Sequence, residues 1–240
     1  MAGGLDGAPG GSPSVSRARR WLLPLLSLTA VAAGAAALWA ARGMAPSGEE
    51  LVLGAPTPES PFAGFMISPA RPAPPIELRG TDGETVRLTD FEGQVVLLFF
   101  GYTFCPDVCP QTMTKLTVAL RELEDRADGV TVLFVSVDPE RDTPVAIEQF
   151  LAGYNSRTVG VTGDHDKLRA LADAYAVTYF VDNEDSEDFD PRFYTITHSA
   201  TVFMIDQGGR LRASFLGPYT PDDVAHDVTV LLDEAEQVDG

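Results

Sequence analysis

The sequence predicts a mixed α/β domain that follows a single amino-terminal transmembrane helix. The helix prediction comes from residues 21–41, which contain no charged side chain and are long enough to cross a bilayer. The domain prediction comes from two continuous apolar runs, at residues 95–100 and 130–137, which are typical of strands buried on both faces of a sheet. Helical patterns follow both runs, so strands and helices alternate as in a parallel sheet.

The segments around the apolar span predict the membrane topology. Residues 1–20 are rich in Gly, Pro and Ser, which predicts a disordered segment. Three arginines precede the span and only Arg42 follows it closely, so the positive-inside rule places residues 1–20 in the cytoplasm and the remainder outside. A cleaved signal peptide is the alternative, because small residues near Ala45 could form a cleavage site. Proline-rich residues 42–71 predict a flexible tether to a domain at residues 72–236.

The charge of the chain argues against binding to polyanions. The sequence holds 17 Lys and Arg against 35 Asp and Glu, a formal net charge of −18. Residues 1–45 contain four Arg and one Asp, or +3, so the remainder carries −21. An acidic body of this kind argues against binding to nucleic acid or to an anionic membrane surface.

The first part of the domain has sequence patterns that predict a β-hairpin and three helices. Apolar and polar residues alternate on both sides of Thr81-Asp82-Gly83, which predicts a β-hairpin over residues 76–88. An apolar stripe at helical spacing predicts a helix from Pro110 to Asp125. Thr143-Pro144 predicts a second helix start by a cap and a first-turn proline, and residues 164–175 predict a third helix.

The carboxyl-terminal part of the domain is predicted to contain two strands and a final helix. A strand is predicted over residues 195–205, and a glycine turn leads into another strand over residues 210–215. A capping box at residues 220–223 predicts the start of the last helix. This order of elements is thioredoxin-like, with the hairpin at residues 76–88 as an added amino-terminal piece.

The chain has two cysteines, Cys105 and Cys109, and both lie between the first buried strand and the helix at Pro110. The carboxyl end of a strand and the amino end of a helix are where α/β sheets place their ligands. We expect the helix start to favour the Cys109 anion, and the thiolate is the reactive and metal-binding form. The spacing is C-x3-C and differs from the C-x-x-C of thioredoxin-like redox motifs. This pair could hold one soft ion, or it could close a disulfide.

One of the three histidines is placed to complete a metal site. His198 stands at the start of the predicted strand that faces the cysteine loop, where thioredoxin-like oxidoreductases carry a cis-proline. Two thiolates and one imidazole form a soft, open ligand set that suits copper, whereas a structural zinc would need a fourth ligand. A buried, hydrogen-bonded histidine is the alternative for His198. His165 and His226 have polar neighbours and are expected at the surface.

Three motifs together resemble the Sco/SenC family of membrane-anchored copper chaperones. They are Gly101 to Pro110, Val135 to Pro144, and His198-Ser199. The resemblance covers about residues 72–236 and implies a thioredoxin-like fold that binds copper, as Cu(I) or Cu(II), through Cys105, Cys109 and His198. It also implies a role in building the dinuclear copper centre of cytochrome c oxidase.

The same resemblance implies partners and a location. The main partner would be the copper-site subunit of the oxidase, with a periplasmic copper donor and a thiol reductant as further partners. The protein would cross the inner membrane once, with its carboxyl-terminal domain on the periplasmic side. No nucleic acid is expected.

Two further features have alternative interpretations. Asp138 ends the predicted strand at residues 130–137 and could support the metal ligands from behind, or it could only form the turn before Pro139. Six of the nine residues from 182 to 190 are acidic. They could form a solvated loop, or a docking and copper-entry loop, because they lead directly toward His198.

The alternative function is enzymatic. Cys105 and Cys109 could act as the redox pair of a thiol–disulfide oxidoreductase that reduces the cysteines of the oxidase copper-site subunit. Disulfide exchange needs no imidazole, whereas copper binding does, so His198 distinguishes the two functions.

Overall fold

The computed structural model describes residues 60–239. The predicted transmembrane segment at residues 21–41 and the first part of the predicted tether lie outside those residues. Within residues 60–239, no helix has both the length and the apolar character that a membrane span requires.

The described residues form ten strands and four α-helices. The strands are β1 (Phe65–Pro72), β2 (Glu77–Gly80), β3 (Thr85–Arg87), β4 (Val95–Gly101), β5 (Val130–Ser136), β6 (Thr158–Thr162), β7 (Tyr179–Val181), β8 (Ile196–His198), β9 (Val202–Ile205) and β10 (Arg210–Phe215). The helices are α1 (Val108–Glu122), α2 (Pro144–Leu151), α3 (His165–Ala174) and α4 (Pro221–Asp239). Short 3-10 helices cover Leu88–Phe91 and Glu124–Gly129.

Eight strands form one mixed sheet in the order β1-β10-β9-β4-β5-β6-β2-β3. The pairs β4–β5 and β5–β6 are parallel, and the other neighbours are antiparallel. All residues of β4 and β5 are buried, which confirms that the two continuous apolar runs lie at the covered centre of the sheet. The cysteine loop therefore begins at the carboxyl end of a rigid central strand.

The predicted hairpin is confirmed as an addition to the edge of the sheet. Leu78 of β2 pairs with Val86 of β3, and Arg79 of β2 pairs with Thr162 of β6. Leu78 is buried and joins the core, so the hairpin is held by apolar packing as well as by backbone pairing.

The predicted helix starts after the cysteine loop are also confirmed. The Thr143 side chain accepts a hydrogen bond from the Ala146 amide, and the Asp164 side chain accepts one from the Lys167 amide. Thr220 and Asp223 exchange the hydrogen bonds of a capping box at the start of α4.

The predicted strand over residues 195–205 is wrong in one respect, because the segment forms two strands. β8 ends at His198 and pairs with β7 in a separate two-stranded sheet. β9 begins at Val202 and pairs with β4 in the main sheet. Since one strand cannot keep its pairing in both sheets, the chain leaves extended pairing between residues 199 and 201.

The predicted tether extends too far toward the carboxyl terminus. β1 lies inside residues 42–71, and it pairs with β10, for example Phe65 with Ser214. The Phe62 ring before it is only 6% exposed. The buried Asp227 carboxylate of α4 accepts hydrogen bonds from the amides of Ala63 at 2.6 Å and Gly64 at 2.9 Å. The domain therefore includes residues from at least 62 onward, which alternation alone did not indicate.

We predict that Asp227→Asn lowers the free energy of unfolding by about 1–3 kcal/mol, because the amide group can accept only one of the two hydrogen bonds and turns a donor toward the other part-buried amide. Urea denaturation measures this change. Asp222→Asn removes the same charge from an exposed position on the same helix and should leave the midpoint nearly unchanged. Equal stability of Asp227→Asn and the native chain would contradict this account of how the amino-terminal strand is held.

Candidate metal centre

The two cysteines lie on a short loop and the helix that follows it. α1 begins at Val108, two residues before the predicted start at Pro110, so Cys109 lies within its first turn. Cys105 lies in the loop after β4 and is 8% exposed, whereas Cys109 is fully buried. The Cys109 amide donates to the Cys105 sulfur at 3.4 Å, because an amide in the first turn of a helix has no partner within the helix and can bind an anionic group.

Gly101, the last residue of β4, makes room for the Cys109 sulfur. A Cβ atom at this position would lie 2.8 Å from the sulfur and 3.0 Å from the rings of Phe99 and Phe134. A side chain at position 101 would therefore displace the sulfur from the end of the strand.

His198, the third predicted ligand, reaches the cysteines from β8. Its Nε2 atom lies 3.4 Å from the Cys109 sulfur, and its Nδ1 atom lies 3.2 Å from the Ser199 carbonyl oxygen. With its proton on Nδ1, the ring donates to that carbonyl and leaves the Nε2 lone pair facing the sulfurs, as metal binding requires. The rings of Phe99 and Tyr102 contact the imidazole edge-on, with centroids 6.1 Å and 5.8 Å away.

The fold thus brings together the three residues that the sequence singled out. The sulfurs of Cys105 and Cys109 and the imidazole nitrogen of His198 all lie within 4.8 Å of one another. Within residues 60–239, this is the one group of three or more Cys, His, Asp or Glu side chains with such spacing. His198 itself is half-buried, and both of its ring nitrogens lie within hydrogen-bonding distance of a partner.

The charge is distributed between the sulfurs differently from the prediction. A hydrogen bond from the Cys109 thiol, aided by nearby amides, lowers the pKa of Cys105 to about 4 although burial opposes the shift. The same hydrogen bond, together with burial, raises the pKa of Cys109 above its ordinary value. Contrary to the expectation for Cys109, the hydrogen bond between the two sulfurs favours the anion at Cys105.

Asp142 is a functional residue that sequence reasoning missed. Its carboxylate is buried and accepts hydrogen bonds from the Thr103 amide at 2.9 Å, the Thr103 hydroxyl at 2.6 Å and the Ser136 hydroxyl at 2.6 Å. Burial raises the pKa of this carboxyl although the hydrogen bonds favour its anion. Asp142 thereby fixes the loop two residues before Cys105. An acidic residue so close to the end of a buried strand was the available signal.

Tyr102 is a second missed residue, and it joins the cysteine loop to the histidine strand. Its hydroxyl oxygen accepts a hydrogen bond from the Ile196 amide of β8 at 3.2 Å. The ring is 1% exposed and also contacts His198. The position of the imidazole therefore depends on the loop that carries the thiols.

Asp138 does not contact any of the three candidate ligands. It accepts hydrogen bonds from the Tyr194 hydroxyl at 2.6 Å and from the Arg141 Nε atom at 2.7 Å. Arg141 in turn donates to the Tyr194 carbonyl oxygen at 2.8 Å. Asp138 thus fixes the chain that enters β8, which is a more remote role than support of a ligand by direct hydrogen bonding.

The other two histidines lie outside the centre, as predicted. His165 is exposed and lies 3.0 Å from the Glu140 carboxylate. His226 is exposed and lies 3.1 Å from the Pro61 carbonyl oxygen.

Comparison with known proteins identifies Sco proteins that are similar to this chain. An SCO2-like protein of Rickettsia prowazekii (strain Madrid E) is 30% identical over 168 residues, which cover 69% of this chain and 80% of that protein. The structure of Bradyrhizobium japonicum ScoI with copper bound is 33% identical, with a TM-score of 0.59, and the match covers 67% of this chain and 99% of that one. Apo Sco1 from Thermus thermophilus is 34% identical, with a TM-score of 0.58, and the match covers 74% of this chain and 96% of that one.

The mixed α/β fold predicted from the sequence therefore matches solved Sco structures. The family model described as SCO1/SenC matches residues 67–233, which include both cysteines, His198 and all but the ends of the described domain. The chain belongs to the SCO1/SenC family.

Proposed function

We propose that this protein is a copper chaperone that binds copper through Cys105, Cys109 and His198 and delivers it to the dinuclear copper centre of cytochrome c oxidase. The observation that carries the proposal is the convergence of two thiol sulfurs and one imidazole nitrogen within 4.8 Å. Copper is the cargo of this site rather than a resident cofactor.

The chemistry of the ligands favours copper over other ions. Thiolates select Cu(I), and imidazole also suits Cu(II), so the set can hold both oxidation states. A structural zinc site would need a fourth ligand, and within residues 60–239 no further Cys, His, Asp or Glu joins the group. The copper-bound Bradyrhizobium japonicum relative supports the same ion for this chain.

The position of the centre favours transfer rather than permanent storage. Cys105 and His198 retain some exposure, whereas Cys109 is fully buried. Incoming thiols can therefore reach the ion on the side of Cys105 and replace its ligands one at a time. The description of the Sco family as cytochrome c oxidase assembly proteins supports the oxidase copper-site subunit as the acceptor. A periplasmic copper donor and a thiol reductant complete the proposed cycle.

A second function, thiol–disulfide exchange, is favoured by the asymmetry of the cysteine pair. Cys105 keeps 8% exposure and has a lowered pKa, whereas Cys109 is fully buried and has a raised pKa. In exchange, the Cys105 sulfur would attack a partner disulfide and release one partner thiolate. Cys109 would then pass its proton to the released partner thiolate and attack the Cys105 sulfur of the mixed disulfide, which releases the second thiolate and leaves a Cys105–Cys109 disulfide.

Substitution of each ligand should separate the three contributions to copper binding. We expect Cys105→Ser or Cys109→Ser to weaken Cu(I) binding by more than about 100-fold. Loss of a residue that only hydrogen-bonds to a metal ligand costs up to about 100-fold, and loss of the ligand itself should cost more. His198→Ala should weaken Cu(II) most, because two thiolates can still hold Cu(I). Competition with a chromophoric chelator measures both affinities. His165→Ala is the matched control, and native affinities in the His198→Ala variant would refute the assignment of the third ligand.

Oxidation of the cysteine pair should abolish copper binding, because a disulfide sulfur is a poor ligand compared with a thiolate. In an oxidising compartment these two cysteines have only each other or a partner to pair with. Thiol labelling of the aerobically purified protein, followed by copper titration before and after reduction, tests this. In the reduced form, Cys105 should be labelled first. Equal copper binding by oxidised and reduced protein would argue against the proposed site.

We also propose that residues 21–41 anchor the protein in the inner membrane, with residues 1–20 in the cytoplasm and the copper-binding domain in the periplasm. The apolar span and the arginines before it support this topology. A reporter that is active only outside the cytoplasm, fused after Gly240, should therefore be active. Activity of a cytoplasm-specific reporter at the same point would reverse the topology, and a mature amino terminus near residue 45 would replace the anchor with a cleaved signal.

A further inference from the structure

A cavity of about 560 Å³ opens beside the candidate metal centre. One wall is formed by Phe104 and Pro106, the two chain neighbours of Cys105. Part of the stretch from 182 to 195 forms the other wall, and it includes Asp182, Asp188 and Asp190 of the acidic segment, defined here as residues 182–190. The cavity therefore lies next to the loop that carries Cys105.

The acidic segment is fixed against the strand that carries His198. The Asp182 carboxylate accepts hydrogen bonds from the hydroxyls of Thr195 at 2.5 Å and Thr197 at 2.8 Å. At the other end of the segment, Asp190 forms an ion pair with Arg192 at 2.8 Å. The Asp182 contacts hold the start of the segment beside β8, whereas the Asp190–Arg192 pair is local to its end.

Four carboxylates between these two ends are exposed and face solvent. Within residues 60–239 none of them forms an ion pair or a side-chain hydrogen bond, and they are Glu184, Asp185, Glu187 and Asp188. Four like charges within five residues create a strong local negative potential, because no internal cation neutralises them.

The two cations of the cavity wall are already neutralised. Arg141 is only 10% exposed, pairs with Asp138 at 2.7 Å and lies 3.4 Å from the centre of the Tyr194 ring. Arg192 pairs with Asp190. The surface around the cavity, with Asp188 in its lining and the other three free carboxylates nearby in the chain, therefore attracts cations and repels anions.

Two aromatic rings at the cavity remain uncovered. Phe104 is 56% exposed and Phe193 is 79% exposed, although each is large and apolar. Aromatic side chains are enriched in the buried centres of protein interfaces, and their faces also attract cationic side chains. An apolar centre with acidic residues around it is thus present beside the loop that carries Cys105.

We propose that this face docks a protein partner whose metal-binding thiols are surrounded by basic side chains. A Lys or Arg side chain of the partner enters the cavity beside Phe104 and Phe193, and further cations pair with the four free carboxylates. Charge complementarity then orients the partner so that its thiols approach Cys105. This inference rests on the proposed function, because it specifies the acceptor or donor that the copper site serves.

The electrostatic part of the docking should appear mainly in association rates. Complementary charge raises association rates by 10-fold or more at low salt, and screening removes the effect as ionic strength rises. Copper affinity itself should not change, because the four carboxylates are not ligands.

Two matched synthetic peptides test the proposal. Both carry the same two-cysteine motif, flanked by four Lys in one and four Glu in the other. With the Cu(I)-loaded protein, stopped-flow transfer should be at least about tenfold faster to the Lys peptide at low salt, and the ratio should approach one near about 0.5 M salt. Equal rates at low salt would overturn the proposal.

Two variants in which carboxylates are replaced by amides test which surface of the protein produces the preference for the Lys peptide. In the first, the four free carboxylates are replaced (E184Q, D185N, E187Q, D188N), and the preference for the Lys peptide should fall to about twofold or less. In the control, four exposed carboxylates at the opposite end of the sheet are replaced (E92Q, E122Q, E124Q, D125N). Retention of the preference by the first variant, or equal loss in both, would contradict the proposed surface.

A metal-free arm separates this inference from the proposed function. The same peptides with Ser in place of Cys should still bind the copper-free protein in a fluorescence titration, with the same preference for Lys and the same loss in the first variant. Failure of the protein to load Cu(I) would refute the proposed function alone, because the Ser peptides still decide the docking. Equal binding of the two Ser peptides would refute the docking even if copper loads normally.

Discussion

The metal centre depends on a buried carboxylate that is held by hydrogen bonds rather than by a cation. Asp142 has no ion pair among the described residues, yet it is 1% exposed and accepts three hydrogen bonds. Such burial costs free energy, which the hydrogen bonds from Thr103 and Ser136 offset. The bonds join the loop after β4 to the end of β5, so the loop that carries Cys105 is ordered before an ion arrives. Preorganisation of this kind reduces the ordering cost of binding.

The ligands belong to parts of the structure with different support. Cys109 lies in the first turn of α1, behind the central strand β4 and against Gly101. His198 lies on β8, which pairs only with β7 outside the main sheet. The thiols are therefore fixed by the core. The imidazole is fixed by a two-stranded sheet, by Tyr102 and by its contact with the Ser199 carbonyl oxygen. A site with this division can release its third ligand without disturbing the core, which suits transfer of an ion between proteins.

The sequence predicted the centre of the fold better than its edges. Continuous apolar runs identify β4 and β5, because strands covered on both faces need apolar side chains at every position. C-x3-C and His198 were recognisable because cysteine and histidine carry distinctive chemistry. β1 was missed because it is an edge strand with prolines and mostly exposed side chains, so it lacks an alternating pattern. The break after His198 and the role of Asp142 depend on partners distant in sequence, which local patterns do not contain. The difference in pKa between the two cysteines depends on a hydrogen bond between them, and the C-x3-C spacing alone does not determine that bond.

The central claim is that Cys105, Cys109 and His198 bind one copper ion together. X-ray absorption spectroscopy of the reduced domain loaded with one equivalent of Cu(I) tests it most directly, because sulfur and nitrogen neighbours scatter differently. The account predicts two sulfur neighbours and one imidazole nitrogen, with the nitrogen lost in His198→Ala and retained in His165→Ala. A spectrum with only nitrogen and oxygen neighbours, or one that His198→Ala leaves unchanged, would contradict it.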